Sequence, residues 1–181
     1  MEVQLETRIW DWVDNVIIGE QFCPFAKVPR EKGSIKLHIC TSKKIADILE
    51  TIAQECKFLD DNASTETTLI ACSQALYKFD DYLDVLDMAN SLLEDLGYTG
   101  TYQLASFHPE YQFEGEPADS TSHFTNRSIV PIFHLIREAS ITLALQFVDN
   151  PDDIPLRNID HASSLGRDFF TPYLVKKLQE Q

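Results

Sequence analysis

The sequence lacks the patterns that mark membrane, nucleotide-binding and nucleic-acid-binding proteins. No apolar run reaches the roughly 18 residues of a membrane-spanning helix, and the N-terminus has neither the basic nor the apolar region of a signal peptide. There is no Walker loop, no G-x-G-x-x-G motif and no basic run. We therefore expect a soluble, cytoplasmic protein with no nucleic-acid partner and no membrane partner.

Cysteine is scarce and widely spaced. The four cysteines lie 17, 16 and 16 positions apart and form no C-x-x-C pair, so neither a zinc knuckle nor a thioredoxin-type motif is expected. Reduced thiols are the simplest interpretation. Cys40, Cys56 and Cys72 fall at core positions and are interpreted as packing residues, whereas Cys23 lies in an irregular segment.

Basic residues are also few. The chain has 15 Lys and Arg against 29 Asp and Glu, a formal charge of −14, which opposes binding to phosphate backbones and anionic membranes. With 44% hydrophobic and 24% charged residues the composition is that of a globular protein. The length of 181 residues suits one domain, which we predict to span 1–181.

Strand and helix periodicities alternate through the middle of the chain and predict a β-α-β-α-β core. Connections of this length favour parallel pairing. The predicted fold class is therefore α/β, a layered sandwich with at least three parallel strands, covered by N- and C-terminal helices. The predicted strands are 35–40, 67–72 and 102–107, and the predicted helices before and between them are 3–18, 43–58 and 80–96.

In the C-terminal third of the chain, the sequence pattern predicts helices and no strand. A helix is expected to begin near Pro131, a short one to be capped by Ser140 and run through Phe147, and another to span about 152–165. Thr171 is expected to cap a last helix whose first residue is Pro172. The preceding segment, 108–130, is long for a connection inside a domain, and such segments are often functional.

Several short motifs, spread over nearly the whole chain, resemble a known family, the domain of unknown function 1415. The resemblance implies positions to test rather than an activity. Its pattern departs here at one point, since Ile129 and Val130 separate Ser128 from Pro131, where the family usually has proline directly after Asn-Arg-Ser. The motifs are Glu6-Thr7-Arg8, Phe22-Cys23-Pro24-Phe25-Ala26, Ala105-Ser106-Phe107-His108-Pro109, Tyr111-Gln112-Phe113, Asn126-Arg127-Ser128, His134 to Ser140 and Arg157-Asn158-Ile159. The positions are Cys23, His108, Asn126, Arg127, His134, Arg137, Glu138 and Asn158.

Three of these positions are candidate catalytic residues. His108 follows the last predicted strand, at the carboxyl end where ligands bind in parallel α/β sheets, and is predicted to handle protons. The alternative is a histidine that only fixes the start of the loop by hydrogen bonds. Cys23 is an outside candidate for a nucleophile, against a small buried residue. Glu138 is predicted to orient the ligand-binding groups.

The other candidates are substrate-binding residues. Arg127 in the long loop and Arg137 on the following helix are predicted to clamp a carboxylate or phosphate, against the alternative that each pairs with a nearby acid such as Asp119. Spacings of three and four place His134, Arg137 and Glu138 on one face of the predicted helix. Asn126 and Asn158 are expected to contribute to the same site.

Three functions remain open from the sequence. The leading one is an enzyme or binding protein for an anionic small molecule, with its pocket at the strand carboxyl ends under the 108–130 loop. The second is a metal-dependent site at His108, His134 and Glu138, which would supply two histidines and a carboxylate. The third is a non-catalytic module whose acidic helix, 80–96, meets a basic partner. No particular cofactor or oligomeric state is predicted.

Overall fold

The fold is built on one mixed four-stranded sheet. The computed structural model describes residues 2–146 and 150–174. The strands pair in the order β1-β2-β4-β3; β1 and β2 are parallel, whereas β4 runs antiparallel to both of its neighbours. The strands are β1 (Ile35–Cys40), β2 (Thr67–Cys72), β3 (Tyr102–Phe107) and β4 (Ile132–Arg137).

Seven α-helices are present in the described residues, and the fold class is α/β as predicted. The first three strands and the two helices between them lie where their periodicities predict them. A π-helical segment, Val13–Ile18, continues the first helix to the end of the predicted helix, and 3₁₀ turns span Thr121–Thr125 and Pro151–Asp153. The helices are α1 (Glu2–Trp12), α2 (Lys27–Glu31), α3 (Ile45–Asp61), α4 (Phe79–Asp95), α5 (Glu138–Leu145), α6 (Ile154–Leu165) and α7 (Arg167–Leu174).

The prediction of a sandwich with at least three parallel strands is not confirmed, because only one pair of strands is hydrogen-bonded in parallel. β1 and β2 are connected by α3 and pair in parallel, but β3 does not pair with β2. β4 lies between them and pairs antiparallel with each. Both β2 and β3 run antiparallel to β4. The three strands β1, β2 and β3 therefore point in the same direction, although only one parallel pair is hydrogen-bonded.

The predicted helix from Pro131 is also wrong, because 132–137 is a strand. Ile132, Phe133 and Leu135 are fully buried in the centre of the sheet. A strand with both faces covered has no alternation of apolar and polar residues, and a short apolar run of this kind is not distinguishable from a helix by periodicity. The helix expected to start at Ser140 begins two residues earlier, at Glu138, and Phe147 lies outside the described residues.

Two apolar clusters lie on opposite faces of the sheet, because successive strand residues point to opposite sides. On one face α1, the π-helical segment, α6 and α7 pack over Leu69, Ala71 and Ile132. On the other face α3 and α4 pack over Ile70, Cys72 and Phe133. The N- and C-terminal helices therefore cover the sheet as predicted, and they lie together on one of its faces.

Glycines end two of the helices. At Gly19, after the π-helical segment, a Cβ would lie 2.5 Å from the carbonyl oxygen of Asn15, too close for any side chain. Gly166 ends α6 with φ at +72°, and α7 begins at the next residue. The last described helix therefore starts at Arg167, and the predicted cap at Thr171 with Pro172 as the first helical residue is wrong, since both lie inside α7. None of the described helices is long and apolar enough to span a membrane.

Candidate functional site

Two histidines hold the long segment between β3 and β4 in place. His108 and His123 are both fully buried. Nδ1 of His108 accepts the backbone N–H of Glu110, and its Nε2 lies 2.8 Å from the carbonyl oxygen of Leu76. Nδ1 of His123 accepts the N–H of Phe113, and its Nε2 lies 2.8 Å from the carbonyl oxygen of Pro117. Each ring therefore carries its hydrogen on Nε2 and links two points of the backbone.

The geometry of His108 favours the structural interpretation over the catalytic one. Both ring nitrogens already have partners. The ring packs against Phe79 and Tyr82, each with centroids 5.1 Å away. Burial lowers the pKa of His108, which keeps the ring neutral. Its catalytic role stays a prediction, and no ring nitrogen is free to exchange a proton without breaking a loop contact.

Cys23 lies in a segment fixed to α6. Asn158 donates to the carbonyl oxygen of Phe22 at 2.7 Å, and Arg157 donates to that of Gln21. Cys23 is half-buried, and burial raises the pKa of its thiol despite hydrogen bonds from the backbone of Phe25 and Ala26. A raised pKa disfavours the thiolate that a nucleophile needs.

Arg137 lies at the opposite end of the sheet from the long segment. Its guanidinium donates to the carbonyl oxygens of Leu59 and Thr65 and, at 3.1 Å, to the hydroxyl of Tyr102. It thereby satisfies carbonyls at the C-terminal end of α3. Arg127 precedes β4 and Arg137 ends it, and a six-residue strand is about 17–20 Å long. The predicted clamp between the two arginines is therefore not formed.

The residues of the predicted metal site are also separated. His134 pairs in register with Leu69 and Ala105 and faces the α1 side of the sheet. His108 packs under α4 on the other side, and Glu138 follows the far end of β4. Within residues 2–146 and 150–174, no group of three or more His, Cys, Asp or Glu side chains is placed to hold a metal ion.

His134 has a defined partner of its own. The hydroxyl of Thr67 donates to the carbonyl oxygen of Leu135, so it accepts from Nε2–H of His134 at 2.8 Å. Burial lowers the pKa of His134 to about 4. Asn126 is likewise engaged with the backbone, since its amide donates to the carbonyl oxygen of Ser106 at 3.2 Å. Both side chains hold neighbouring chain segments together.

Arg127 meets a different arginine from the one predicted. Its guanidinium carbon lies 4.9 Å from the centroid of the Phe124 ring, and that of Arg167 lies 5.7 Å from the same centroid. Arg127 also donates through Nε to the carbonyl oxygen of Tyr111 at 3.2 Å. Arg167, the first residue of α7, donates to the carbonyl oxygen of Asp119 at 3.5 Å.

Neither of these arginines forms an ion pair with a carboxylate of the described residues. Burial, and next the charge of Arg167, lower the pKa of Arg127, while the charge of Glu110 acts in the opposite direction. A guanidinium stays protonated despite such a shift. Two cations are thus held near one aromatic ring with no carboxylate in contact, in a chain whose formal charge is −14.

Arg30 also lies over an aromatic ring, but its guanidinium has a carboxylate partner. Its guanidinium lies 4.2 Å from the centroid of the Trp10 ring, as Arg127 lies over Phe124. It also forms two hydrogen bonds to Asp14, of 2.7 and 2.8 Å, in a bidentate pair. Arg127 and Arg167 share the ring contact but form no such pair with a carboxylate of the described residues.

The pocket predicted under the 108–130 loop stays a prediction, and two clefts of the described residues lie elsewhere. One cleft of about 350 Å³ lies beyond the carboxyl ends of β1 and β2, lined by Lys43, Gln74 and Asp81 among others. A second, of about 570 Å³, follows α3 and α4 and is lined by Asp84, Asp87 and Asp95 among others. No predicted site residue lines either cleft.

Sequence reasoning missed two groups of residues. Arg167 belongs to no recognised motif. The available signal was Gly166, which indicates that a helix could begin at Arg167. The other group lies on the α3 side of β1, where Lys36, His38 and Cys40 alternate along the strand and Glu55 reaches them from α3. An acid at position 55, one residue before the apolar stripe position Cys56, was the available signal.

The comparisons with known proteins give a family and no nearer relative. A family model described as "Protein of unknown function (DUF1415)" matches residues 4–172. No curated protein and no solved structure matches the chain.

Proposed function

The chain belongs to the family described as a protein of unknown function (DUF1415), and we propose that it binds a small anionic molecule between Arg127 and Arg167. The observation that carries the proposal is the pair of guanidinium groups at 4.9 and 5.7 Å from the Phe124 ring centroid, with no carboxylate partner. This keeps the anion and Arg127 of the sequence-based hypothesis and replaces Arg137 by Arg167.

The charge balance supports an anion as the ligand. Two like charges held close together repel each other, and an anion between them removes that repulsion. A guanidinium presents several N–H donors in a plane, which suits the paired oxygens of a carboxylate or phosphate. In Arg127 the Nε–H is engaged with Tyr111, which holds the group in place and leaves its terminal nitrogens for a ligand.

The net charge of the chain restricts the ligand. A protein at −14 repels anions at long range, so attraction to this site is short-range and local. Small anions with two or more adjacent oxygens, such as carboxylates and phosphate, satisfy that condition. A polyanion would meet the acidic remainder of the surface.

The test is ligand-induced stabilisation of the purified full chain by inorganic phosphate and by citrate. A ligand at 100 times its dissociation constant adds about 2.7 kcal/mol to the free energy of unfolding, a rise of several degrees in Tm. We expect Arg127→Ala and Arg167→Ala each to abolish that rise. Arg127→Lys keeps the positive charge but loses the planar guanidinium, so this variant should retain only part of the rise in Tm.

Arg30→Ala is the matched control, because Arg30 is also stacked on an aromatic ring but already has Asp14. It should leave the anion-dependent rise in Tm unchanged. If Arg127→Ala and Arg167→Ala respond to both anions as the wild type does, the proposal is wrong. An equal loss in the Arg30 variant would assign the effect to general electrostatics.

A second candidate function is a surface for a basic partner. The exposed side of α4 carries Asp84 and Asp87 beside Met88, whose side chain is 48% exposed and lines both clefts. Salt-sensitive binding of a basic protein, lost in Asp84→Asn with Asp87→Asn, would support this function. The catalytic roles predicted for His108, Cys23 and Glu138 stay predictions, as does the metal hypothesis.

A further inference from the structure

Two cysteines face each other at the ends of the parallel strands. Cys40 is the last residue of β1 and Cys72 the last of β2, and the register pairs them directly. The backbone N–H of Ser73 donates to the carbonyl oxygen of Cys40 at 3.0 Å, which holds the strand ends together. Both thiols are free, on the α3 and α4 side of the sheet.

Their separation suits a disulfide. Neighbouring strands lie about 4.7–4.9 Å apart, and the Cα atoms of bridged cysteines are usually about 4.4–6.8 Å apart. Residues paired directly across two parallel strands fall inside that range. A bridge between Cys40 and Cys72 therefore does not require the strands to separate.

The surroundings of the pair make the two sulfurs unequal. A hydrogen bond from the Cys72 thiol lowers the pKa of Cys40 most, to about 6, and the backbone of Ser42 and the side chain of Thr51 act in the same direction, against the opposing effect of burial. The pKa of Cys72 is raised, first by its hydrogen bond to Cys40 and then by burial. These opposite shifts favour the thiolate at Cys40 over the thiolate at Cys72.

The charged and titratable neighbours come from three elements. His38, two residues before Cys40 on the same strand face, lowers the pKa of Cys40 further. His38 is held by Glu55 of α3, with 2.9 Å between Nδ1 and Oε1. Tyr82 of α4 stays protonated because burial raises its pKa well above its ordinary value.

Access is confined to small reagents. Cys40 is 4% exposed and Cys72 is fully buried. The cleft beyond the strand ends is lined by Lys43 and Gln74, which follow the two cysteines by three and two residues. Ligands of parallel α/β sheets enter from this end. A molecule close to water in size meets Cys40 before Cys72.

We propose that Cys40 and Cys72 form a redox-active dithiol that hydrogen peroxide converts into a cross-strand disulfide. The Cys40 thiolate attacks one peroxide oxygen, the O–O bond breaks, and the second oxygen leaves as hydroxide and takes up a proton to become water. The Cys72 thiol then attacks the sulfur of the Cys40 sulfenic acid; the S–O bond breaks and a second water leaves. Two thiols lose two electrons, and one peroxide accepts them. This proposal is independent of the anion site.

The test uses the wild-type full chain, a few equivalents of hydrogen peroxide, and quenching with an alkylating reagent. We expect the titre of free thiols to fall from four to two. Mass spectrometry of a non-reducing digest should show one linked peptide pair, containing Cys40 and Cys72. The rate of thiol loss should rise with pH and reach half its maximum near 6, the pKa of Cys40.

Variants assign the order of the two steps. In Cys72→Ser the sulfenic acid of Cys40 should persist and be trapped by dimedone. In Cys40→Ser the oxidation of Cys72 should slow by roughly ten-fold or more, since the thiolate is the reacting form. Cys56→Ser is the matched control; Cys56 is equally buried, burial raises its pKa to about 12, and its loss should leave the Cys40–Cys72 bridge unchanged.

Three results would overturn the proposal. The titre of four thiols could remain constant while free cysteine in the same solution is oxidised. The linked peptides could contain Cys23 or Cys56, or could join two chains. Dimedone could label Cys72 before Cys40. The wild-type measurement decides the first two of these even if a variant fails to fold.

Discussion

Nε2 of His108 lies 2.8 Å from the carbonyl oxygen of Leu76, and this contact joins the loop after β3 to the loop after β2. Leu76 has φ at +62°, an unusual conformation for a leucine, so its carbonyl is turned away from regular structure. A buried carbonyl in that position needs a donor, and the imidazole supplies it. His108 thus connects two loops that are 32 residues apart in sequence.

We expect His108→Ala to destabilise the fold rather than to remove a proton-transfer group. The change leaves the partly buried Leu76 carbonyl and the Glu110 N–H without their ring partners, at a cost of roughly 1–3 kcal/mol in total. Urea unfolding measures the loss. His161→Ala is the control, because its side chain is 39% exposed and its pair with Glu20 contributes little. Equal stabilities of the two variants would contradict this role.

The stability should fall as the pH drops below the ordinary histidine value of 6.5. Burial lowers the pKa of His134 to about 4 in the folded state, so the unfolded chain binds a proton first. The contribution of His134 is complete above pH 6.5 and is lost between about 6.5 and 4. Burial also lowers the pKa of His108, so its contribution has the same sign. An NMR titration in which His134 changes charge near pH 6.5 would contradict this prediction.

Arg137→Lys should lower stability by roughly 2–3 kcal/mol without changing anion binding. A lysine ammonium cannot reach the Leu59 and Thr65 carbonyls and the Tyr102 hydroxyl at the same time, and unsatisfied buried groups are costly. Arg127→Ala should have the opposite effect. Its free energy of unfolding in urea should change little, and phosphate should not raise its Tm. Retained stability in Arg137→Lys would indicate that Arg137 does not hold the end of α3.

The Lys36–Glu55 ion pair should be costly to break from one side only. The Lys36 ammonium lies 2.8 Å from the Glu55 carboxylate, which is nearly fully buried. Lys36→Met leaves that charge with His38 as its remaining partner, at a cost of up to about 3–5 kcal/mol, whereas adding Glu55→Leu should restore much of the loss. A double-mutant cycle in urea measures the coupling, and additive effects would contradict it.

Glu55 also gives the pair a pH dependence. Burial raises its pKa, but hydrogen bonds from His38 and Lys36 outweigh burial and lower the pKa below 4.5. Its contribution to stability is therefore present above the ordinary value and lost as the pH falls through the lower folded value. Glu55→Gln should flatten the stability profile below about pH 4.5.

The predicted bounds were accurate for three strands and for the helix before β3. The strands at 35–40, 67–72 and 102–107 have the predicted bounds, and the helix predicted at 80–96 spans Phe79–Asp95. The β4 segment was wrongly predicted as a helix because Pro131 suits a first helical position and its short apolar run does not distinguish a strand from a helix. The site residues failed with it, because a helix would have placed His134 and Glu138 side by side, whereas a strand does not.

Local sequence by itself determined the acidic α/β character of the chain, the β-α-β-α-β order and the family, since periodicity, turn residues and motifs are properties of neighbouring positions. The tertiary structure alone decided that β4 enters between β2 and β3, that Arg127 meets Arg167 across 40 residues, and that Cys40 faces Cys72. Each of these is a contact between distant segments, and the energy that selects it comes from burying both faces of the sheet, which no local pattern records.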